Sequence, residues 1–198
     1  MIVLLLSLAS AGDLHLELAP EVGIVPTRGR SQNRFGNANS MPVFGGRVGL
    51  ALTDALTVQL ASHHGRRGAT WYGTDNETIG AAAFYATDVS LGLEALVPVN
   101  IFFAVGGEAS GTGQFALARF DDDSDDPDSA IQKSATGFAP GFRVAPALKI
   151  TVPDSALPIP LQFRFSAGYQ WSAPIELEPF GTTNLRGMSL RLSVGVQL

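Results

Sequence analysis

The sequence predicts an all-β chain that closes into an antiparallel, up-and-down transmembrane β-barrel of about eight strands. Two observations carry this prediction. Several segments alternate strictly between apolar and polar residues, which is the period of a β-strand. The connections between these segments alternate between short turns and long polar loops. This asymmetry is typical of a barrel that crosses a membrane with short periplasmic turns and long external loops.

The last strand shows the alternation most clearly. Its polar positions include Arg191, and its apolar positions continue to the last residue of the sequence. These apolar positions are Leu190, Leu192, Val194, Val196 and Leu198. A tilted strand needs about ten residues to cross a bilayer, and a barrel turns every second residue into a lumen where an arginine is tolerated. The segment from Leu161 to Trp171 repeats the pattern, with Arg164 among its polar positions.

Six earlier strands complete the predicted barrel, near residues 14–25, 43–52, 56–63, 89–97, 101–117 and 138–150. Turns are expected near residues 53–55, 98–100 and 153–160. Long polar loops are expected near residues 27–41, 65–78, 119–135 and 172–184. Pro140 and Pro146 fall on the outward face of the sixth strand. Because proline cannot donate a backbone hydrogen bond, we expect bulges or locally broken pairing there.

The composition excludes several classes of function. An apolar fraction of 45% is ordinary, as expected for strands that give only every second residue to lipid. The net charge of -5 argues against a nucleic-acid partner, since binding phosphates requires a basic surface. Without cysteine the chain has no disulfides, thiolate metal ligands or cysteine nucleophile. No apolar run reaches the roughly 18 residues that a transmembrane helix requires.

The N-terminus indicates export. A short apolar run from Ile2 to Leu8 is followed by Ala9-Ser10-Ala11, which matches the small-x-small cleavage pattern of a signal peptide. We therefore predict a signal peptide over residues 1–11, cleaved before Gly12, and a barrel domain over residues 12–198. The alternative is a buried strand that begins the fold.

The polar faces of the predicted strands carry four acids and four arginines. These are Glu17, Glu21, Arg47, Glu94, Glu108, Arg143, Arg164 and Arg191. About eight strands enclose an interior just wide enough for side chains, and buried charges are tolerated when they are paired and hydrogen-bonded. We therefore predict a lumen charge network in which Glu/Arg pairs fill the barrel. A charged pore is the alternative.

The alternating strands, the loop asymmetry and the closing strand resemble those of the small eight-stranded outer-membrane β-barrels, the family of the OmpA-like transmembrane domain and its relatives. The resemblance implies a place in the cell outer membrane, reached through the periplasm, with outer-membrane lipid and lipopolysaccharide as partners. It also implies that the apolar positions of the closing strand are an assembly signal for the barrel-assembly machinery. Leu198 stands where the family usually has an aromatic residue.

Aromatic and basic residues gather near the external strand ends. Tyr169 and Trp171 are in phase with the lipid face, so we expect them in an aromatic girdle. His63-His64 and Arg66-Arg67 lie at another external strand end, where arginine favours phosphate headgroups. Ser62 shares a face with His64, but side chains two apart on one strand are too distant for a nucleophile and its base, and no acid is placed. We predict no catalytic residue and no cofactor.

The acidic segment after the fifth strand is the one candidate metal loop. Asp121, Asp123 and Asp125 have the alternate spacing of calcium-binding loops. However, Asp126 and Gln132 stand where such loops carry glycine and glutamate. We therefore predict no specific metal site and interpret the segment as a solvated external loop, or one in loose contact with divalent cations near the lipopolysaccharide headgroups.

These observations predict a non-enzymatic integral outer-membrane barrel with a structural, loop-mediated interaction or weakly channel-forming role. Two alternatives stay open. A lipid-A-modifying enzyme would require a Ser/His/acid cluster at the outer rim. A soluble ligand-binding barrel of lipocalin type would require the apolar positions to point inward and the charges outward.

Overall fold

The computed structural model describes residues 15–29, 35, 39–72, 78–122, 132–152 and 160–198. The predicted signal peptide, Asp123 and Asp125 lie outside these residues. Within them no helix is long and apolar enough to cross a membrane. The strands are β1 (His15–Pro26), β2 (Ser40–Thr53), β3 (Leu56–Tyr72), β4 (Thr78–Pro98), β5 (Phe103–Asp122), β6 (Gln132–Val152), β7 (Leu161–Ser172), β8 (Ile175–Leu177), β9 (Gly181–Thr183) and β10 (Gly187–Gln197).

Eight of these strands close into one antiparallel barrel in the order β1-β10-β7-β6-β5-β4-β3-β2, while β8 and β9 form a separate hairpin. Closure joins the first strand to the last, with Leu16 donating its N–H to Leu198 O at 3.1 Å. The predicted fold class, an up-and-down barrel of eight strands, is confirmed. We call the end with the Thr53–Leu56 turn the short-turn end and the opposite end the long-loop end.

The barrel wall is much taller on one side than on the other. Strands β3 to β6 have 17, 21, 20 and 21 residues, whereas β1, β2, β7 and β10 have 12, 14, 12 and 11. The predicted loop over residues 65–78 is therefore wrong, because β3 continues to Tyr72 and β4 begins at Thr78. The predicted loop over residues 119–135 likewise shortens, since β5 reaches Asp122 and β6 begins at Gln132.

The prolines of β6 interrupt pairing on one side only. The register between β5 and β6 is continuous through Pro140 and Pro146, so the predicted bulges are absent. On the β7 side, the pairs Val144↔Tyr169 and Ala147↔Ser166 flank a gap that contains Pro146. This gap is the broken pairing expected where an N–H is missing.

The outer face of the barrel is apolar over most of its height. Phe44 and Leu91 are each 62% exposed, and large apolar side chains of every barrel strand except the long-loop half of β3 share this surface. In water such a continuous apolar surface would be unstable, whereas in hydrocarbon it is solvated. The wall also pairs its backbone groups around the closed circuit, which is the condition for a sheet to cross a bilayer.

The interior has two layers. Towards the short-turn end it holds charged side chains, and we call these the ionic layer: Glu17, Glu21, Arg47, His63, Asp88, Glu94, Glu108, Arg143, Lys149, Arg164 and Arg191. Towards the long-loop end it holds a cluster of apolar side chains. We call this cluster the apolar plug: Val25, Phe35, Met41, Val43, Ala82, Phe84, Ala86, Ala116, Ala118, Ala135, Ala139, Ile175, Leu177, Phe180 and Leu185.

Candidate functional site

The candidate site is the ionic layer in the barrel lumen. Because side chains alternate across each strand, every second residue of the eight barrel strands enters the lumen. All eight charged residues of the predicted network are placed there by this alternation, and each is between 1% and 6% exposed. The layer therefore brings together side chains from all eight barrel strands, and the eight predicted charges are almost entirely shielded from solvent.

Arg47 of β2 connects three neighbouring strands. Its Nη2 lies 3.2 Å from Glu17 Oε2, and its Nη1 lies 3.4 Å from Glu94 Oε1. The same Nη1 donates to Gln59 Oε1 at 3.2 Å. A guanidinium offers five donors in a fixed plane, so one arginine can satisfy acceptors from several strands.

Arg164 of β7 reaches across the lumen to two glutamates. Glu94 and Glu108 are directly opposite each other on β4 and β5, an arrangement that is unfavourable for like charges. Arg164 forms ion pairs with both carboxylates, which offsets their repulsion. Gln59 Nε2 also donates to Glu108 Oε2 at 2.9 Å. Arg143 forms the second ion pair to Glu108.

Arg143 is fixed from its other side by two hydroxyl groups. Its Nε donates to Ser189 Oγ at 2.9 Å, and its Nη2 donates to Ser166 Oγ at 2.9 Å. At 1% exposure it is among the largest fully buried side chains of the described residues. A buried arginine requires acceptors of this kind, because each unsatisfied N–H carries a desolvation cost.

A second group lies nearer the apolar plug and forms a ring of four side chains. Arg191 Nη2 lies 3.0 Å from Asp88 Oδ2, and Arg191 Nε lies 4.0 Å from Glu21 Oε1. His63 closes the ring, with Nδ1 3.0 Å from Asp88 Oδ1 and Nε2 3.6 Å from Glu21 Oε2. Four strands, β1, β3, β4 and β10, meet in this ring.

Three members of the ionic layer were not in the predicted network: His63, Asp88 and Lys149. Lys149 Nζ pairs with Glu17 Oε1 at 3.1 Å. All three lie on the polar face of their strand, in phase with the predicted charges, and this phase is the signal that would have identified them. With them, the described layer contains five carboxylates and five permanently cationic side chains, with His63 as an additional titratable group.

His63 is the one histidine of the ionic layer. Both ring nitrogens of His63 face carboxylates, and no hydroxyl nucleophile is placed against them among the described residues. At the outer rim, His64 Nδ1 lies 2.9 Å from Thr87 Oγ1, and its ring packs against Phe44 and Tyr85. No group of three or more metal-ligating residues exists in the described part of the chain.

The lumen opens into a cavity at the short-turn end. This vestibule has a volume of about 560 Å³ and ends at Glu17 and Lys149. Beyond the ring of His63 and Asp88, a cavity of about 10 Å³ lies against the apolar plug. Side chains thus cross the lumen in the ionic layer and again in the apolar plug.

The other predicted site residues lie outside the lumen. Tyr169 is 40% exposed and accepts a hydrogen bond from Arg186 Nε at 2.8 Å. Trp171 is half-buried and stacks on Phe142 at 5.6 Å between ring centroids. Asp121 pairs with Gln132 near the end of β5. The first and the last positions of the candidate calcium loop therefore lie in the sheet. Four apolar positions of the closing strand are exposed on the outer face, between Val194 at 39% and Leu198 at 64%, while Val196 is half-buried.

No protein-family model and no curated protein matches the chain. Solved structures do match. The attachment invasion locus protein Ail of Yersinia pestis, in complex with the heparin analogue sucrose octasulfate, superposes with a TM-score of 0.60 at 12% identity, covering 94% of this chain and 100% of that one. A major outer membrane protein from Thermus thermophilus gives a TM-score of 0.54 at 12% identity, covering 92% of this chain and 99% of that one.

At this identity the likeness is one of fold. The chain has the fold of the small eight-stranded outer-membrane β-barrels. Together with the apolar outer face, this fold makes it an integral membrane barrel of that class. The lipocalin-type alternative is excluded, because the large apolar residues of the outer face point outward and the charges of the ionic layer point into the lumen.

Proposed function

We propose that this protein is a non-enzymatic integral outer-membrane barrel whose lumen is closed by its own side chains. Its role would be structural, or would lie in interactions made by its long-loop end. The observation that carries the proposal is that side chains fill the lumen at two levels beyond the vestibule. Paired charges cross it in the ionic layer, and the apolar plug crosses it towards the long-loop end. A filled barrel offers its outer surface and loops to partners, since it leaves no open path for a solute.

The charge balance of the ionic layer supports a structural role over a pore. A conducting pore requires water beside its charged groups, whereas here Arg47, Arg143 and Arg164 are each bonded to protein acceptors and at most 5% exposed. In a narrow barrel that faces lipid, such paired charges take the place of a hydrophobic core. Removing one partner would leave an uncompensated buried charge.

Conductance in planar lipid bilayers tests directly whether the lumen is closed. We expect no stepwise conductance from the wild-type barrel, because paired side chains cross the lumen in the ionic layer. The double variant Glu108→Ala with Arg164→Ala removes one acid and one base together and should produce measurable leak, which shows that the assay detects an opened lumen. Stable openings of the wild-type barrel would instead support the weakly channel-forming role.

Lipid-A modification is the enzymatic alternative, and it has a separate test. Among the described residues the rim around His64 presents Thr87 and aromatic rings and no carboxylate. We expect mass spectrometry of lipid A to show the same species with and without the protein. A mass change that disappears in His64→Ala would establish the enzyme.

Export and assembly complete the proposal. We propose that residues 1–11 are a cleaved signal peptide and that the outward apolar positions of β10 guide insertion by the barrel-assembly machinery. The pairing of β10 with both β1 and β7 supports the role of β10 in insertion, since closure of the barrel depends on this pairing. Val194→Arg, on the lipid face, should delay the appearance of the heat-modifiable folded band, with a cost of about 2–4 kcal/mol at mid-membrane. Ser193→Ala, on the lumen face, is the control.

A further inference from the structure

A groove crosses the outer face of the barrel near the long-loop end. It has a volume of about 530 Å³, within the range of ligand sites. Its walls are two rows of side chains that the strand register sets side by side. One row joins Phe165, Leu192, Val22 and Phe44, and the other joins Leu190, Ile24 and Pro42. The backbone of Gly23 and Arg191 forms part of its floor.

Arg66 is the one charged side chain on the outer face that lines this groove. It is exposed, and its guanidinium carbon lies 5.4 Å from the centroid of the Tyr85 ring. No carboxylate pairs with it among the described residues. The adjacent Arg67 points the other way and donates to Thr27 Oγ1 at 3.0 Å, so only Arg66 of this pair is available on the outer face.

The depth of Arg66 matches a lipid headgroup. It lies ten residues after Leu56, the short-turn start of β3, and a tilted strand crosses the bilayer in about 9–11 residues. The outward face of β3 agrees, since it passes from Leu60 through Ser62 and His64 to Arg66. With Arg66 at this depth, the groove below it faces the hydrocarbon of the outer leaflet. From β7 to β3 it spans four strand spacings, about 19 Å.

We propose that this groove is a specific site for one phosphate-bearing lipid of the outer leaflet, of the lipid A type, with an acyl chain between the two apolar rows and a headgroup phosphate on Arg66. The inference rests on the proposed membrane orientation and adds a defined partner to it. Guanidinium binds phosphate through paired N–H donors, and the Tyr85 ring holds it at the groove mouth. The long apolar groove selects a lipid over free phosphate.

Native mass spectrometry of the full-length barrel in detergent micelles tests the site, with purified lipid A as the probe. We expect one lipid A per wild-type barrel at saturation. Arg66→Gln should weaken binding about tenfold, the change expected from the loss of one charge-assisted contact. Val22→Trp, which fills the groove from an outward position, should reduce retention without touching Arg66.

Arg119→Gln is the matched control, because Arg119 is also an exposed arginine of the outer face near the long-loop end but lies on β5, away from the groove. Equal losses for Arg66→Gln and Arg119→Gln would overturn the proposal, as would wild-type barrels without bound lipid A. Competition by inorganic phosphate at the concentrations of lipid A would assign a phosphate site and overturn the lipid groove. A chain that never inserts into membranes would instead refute the proposed function, which heat-modifiability reports separately.

Discussion

The barrel interior has one charged layer and one apolar layer, and the environment on the outside of the wall explains the difference. Around the ionic layer the outer face is apolar, as at Leu91, and the inner face is charged, as at Glu94. On β3 and β4, at the level of the apolar plug, the relation is inverted: β4 turns Phe84 inward, while β3 turns Arg66 outward. Where lipid solvates the outside, polar groups collect in the lumen; where water does, the apolar groups are buried there.

One barrel is therefore stabilised by two different mechanisms. The ionic layer depends on every charge keeping its partner, so it is sensitive to the loss of a single charge even when volume is preserved. The apolar plug depends on volume and close packing, so it is sensitive to truncation. Substitutions of the same size should therefore have different consequences in the two layers.

The largest effect is expected from Glu108→Gln in the ionic layer. Glu108 pairs with both Arg143 and Arg164, so this nearly isosteric change leaves two buried guanidinium groups without their shared counter-charge. We expect a loss of about 3–5 kcal/mol in the free energy of unfolding. Urea titration of the barrel in lipid vesicles, followed by tryptophan fluorescence, measures it.

The exposed Glu176 of β8 provides the control for that loss. Glu176→Gln removes the same charge from a solvated position and should change the unfolding free energy by less than about 0.5 kcal/mol. Similar values for the two variants would mean that the ionic layer does not act as a paired network.

The ionic layer could be predicted from sequence because its rule is local. A period of two separates lumen from lipid, so Glu17, Arg47 and Arg143 could be assigned to the lumen before any pairing was known. Their partners could not, because contacts such as Arg164 with Glu94 cross the lumen between strands that are not neighbours. The register and shear that create such contacts are set by the whole closed sheet.

The apolar plug was not predicted, because the assignment of apolar residues to the outward positions does not hold along the whole length of the long strands. On β3 the outward positions after Leu60 become polar, which suggested a loop where the strand in fact continues. On β4 and β5 the inward positions become alanine, as at Ala82 and Ala118, and small residues give a weak strand signal. The plug also depends on the hairpin of β8 and β9, whose position is set by packing and by contacts with residues distant in sequence, such as the hydrogen bond from Thr183 Oγ1 to Arg28 O at 3.2 Å.

A smaller and more local effect is expected from Leu177→Ala in the apolar plug. Leu177 is fully buried at the tip of the hairpin. Truncation should cost about 2–5 kcal/mol of packing, and because the hairpin docks as a small unit, the loss should appear as local opening. Hydrogen exchange should show reduced protection in β8 and β9 with little change in β1 or β10. Leu91→Ala, on the lipid-facing surface, is the control, and equal loss of protection throughout the barrel would contradict a separately docked hairpin.

The smallest effect, and the sharpest comparison, uses one substitution at two glycines. A Cβ on Gly137 would lie 2.5 Å from Glu176 O and 2.6 Å from Ile175 Cγ2, so Gly137→Ala should push the hairpin from the wall at a cost of about 1–3 kcal/mol in its docking. A Cβ on Gly111 would meet nothing within 4 Å on the lipid side, and Gly111→Ala should be neutral or stabilise the barrel by about 0.4–1 kcal/mol through the unfolded chain. Hydrogen exchange of the hairpin and urea unfolding of the barrel distinguish the two outcomes. If both variants behave alike, the hairpin does not rest on the wall at Gly137, and the apolar plug is held by the barrel strands alone.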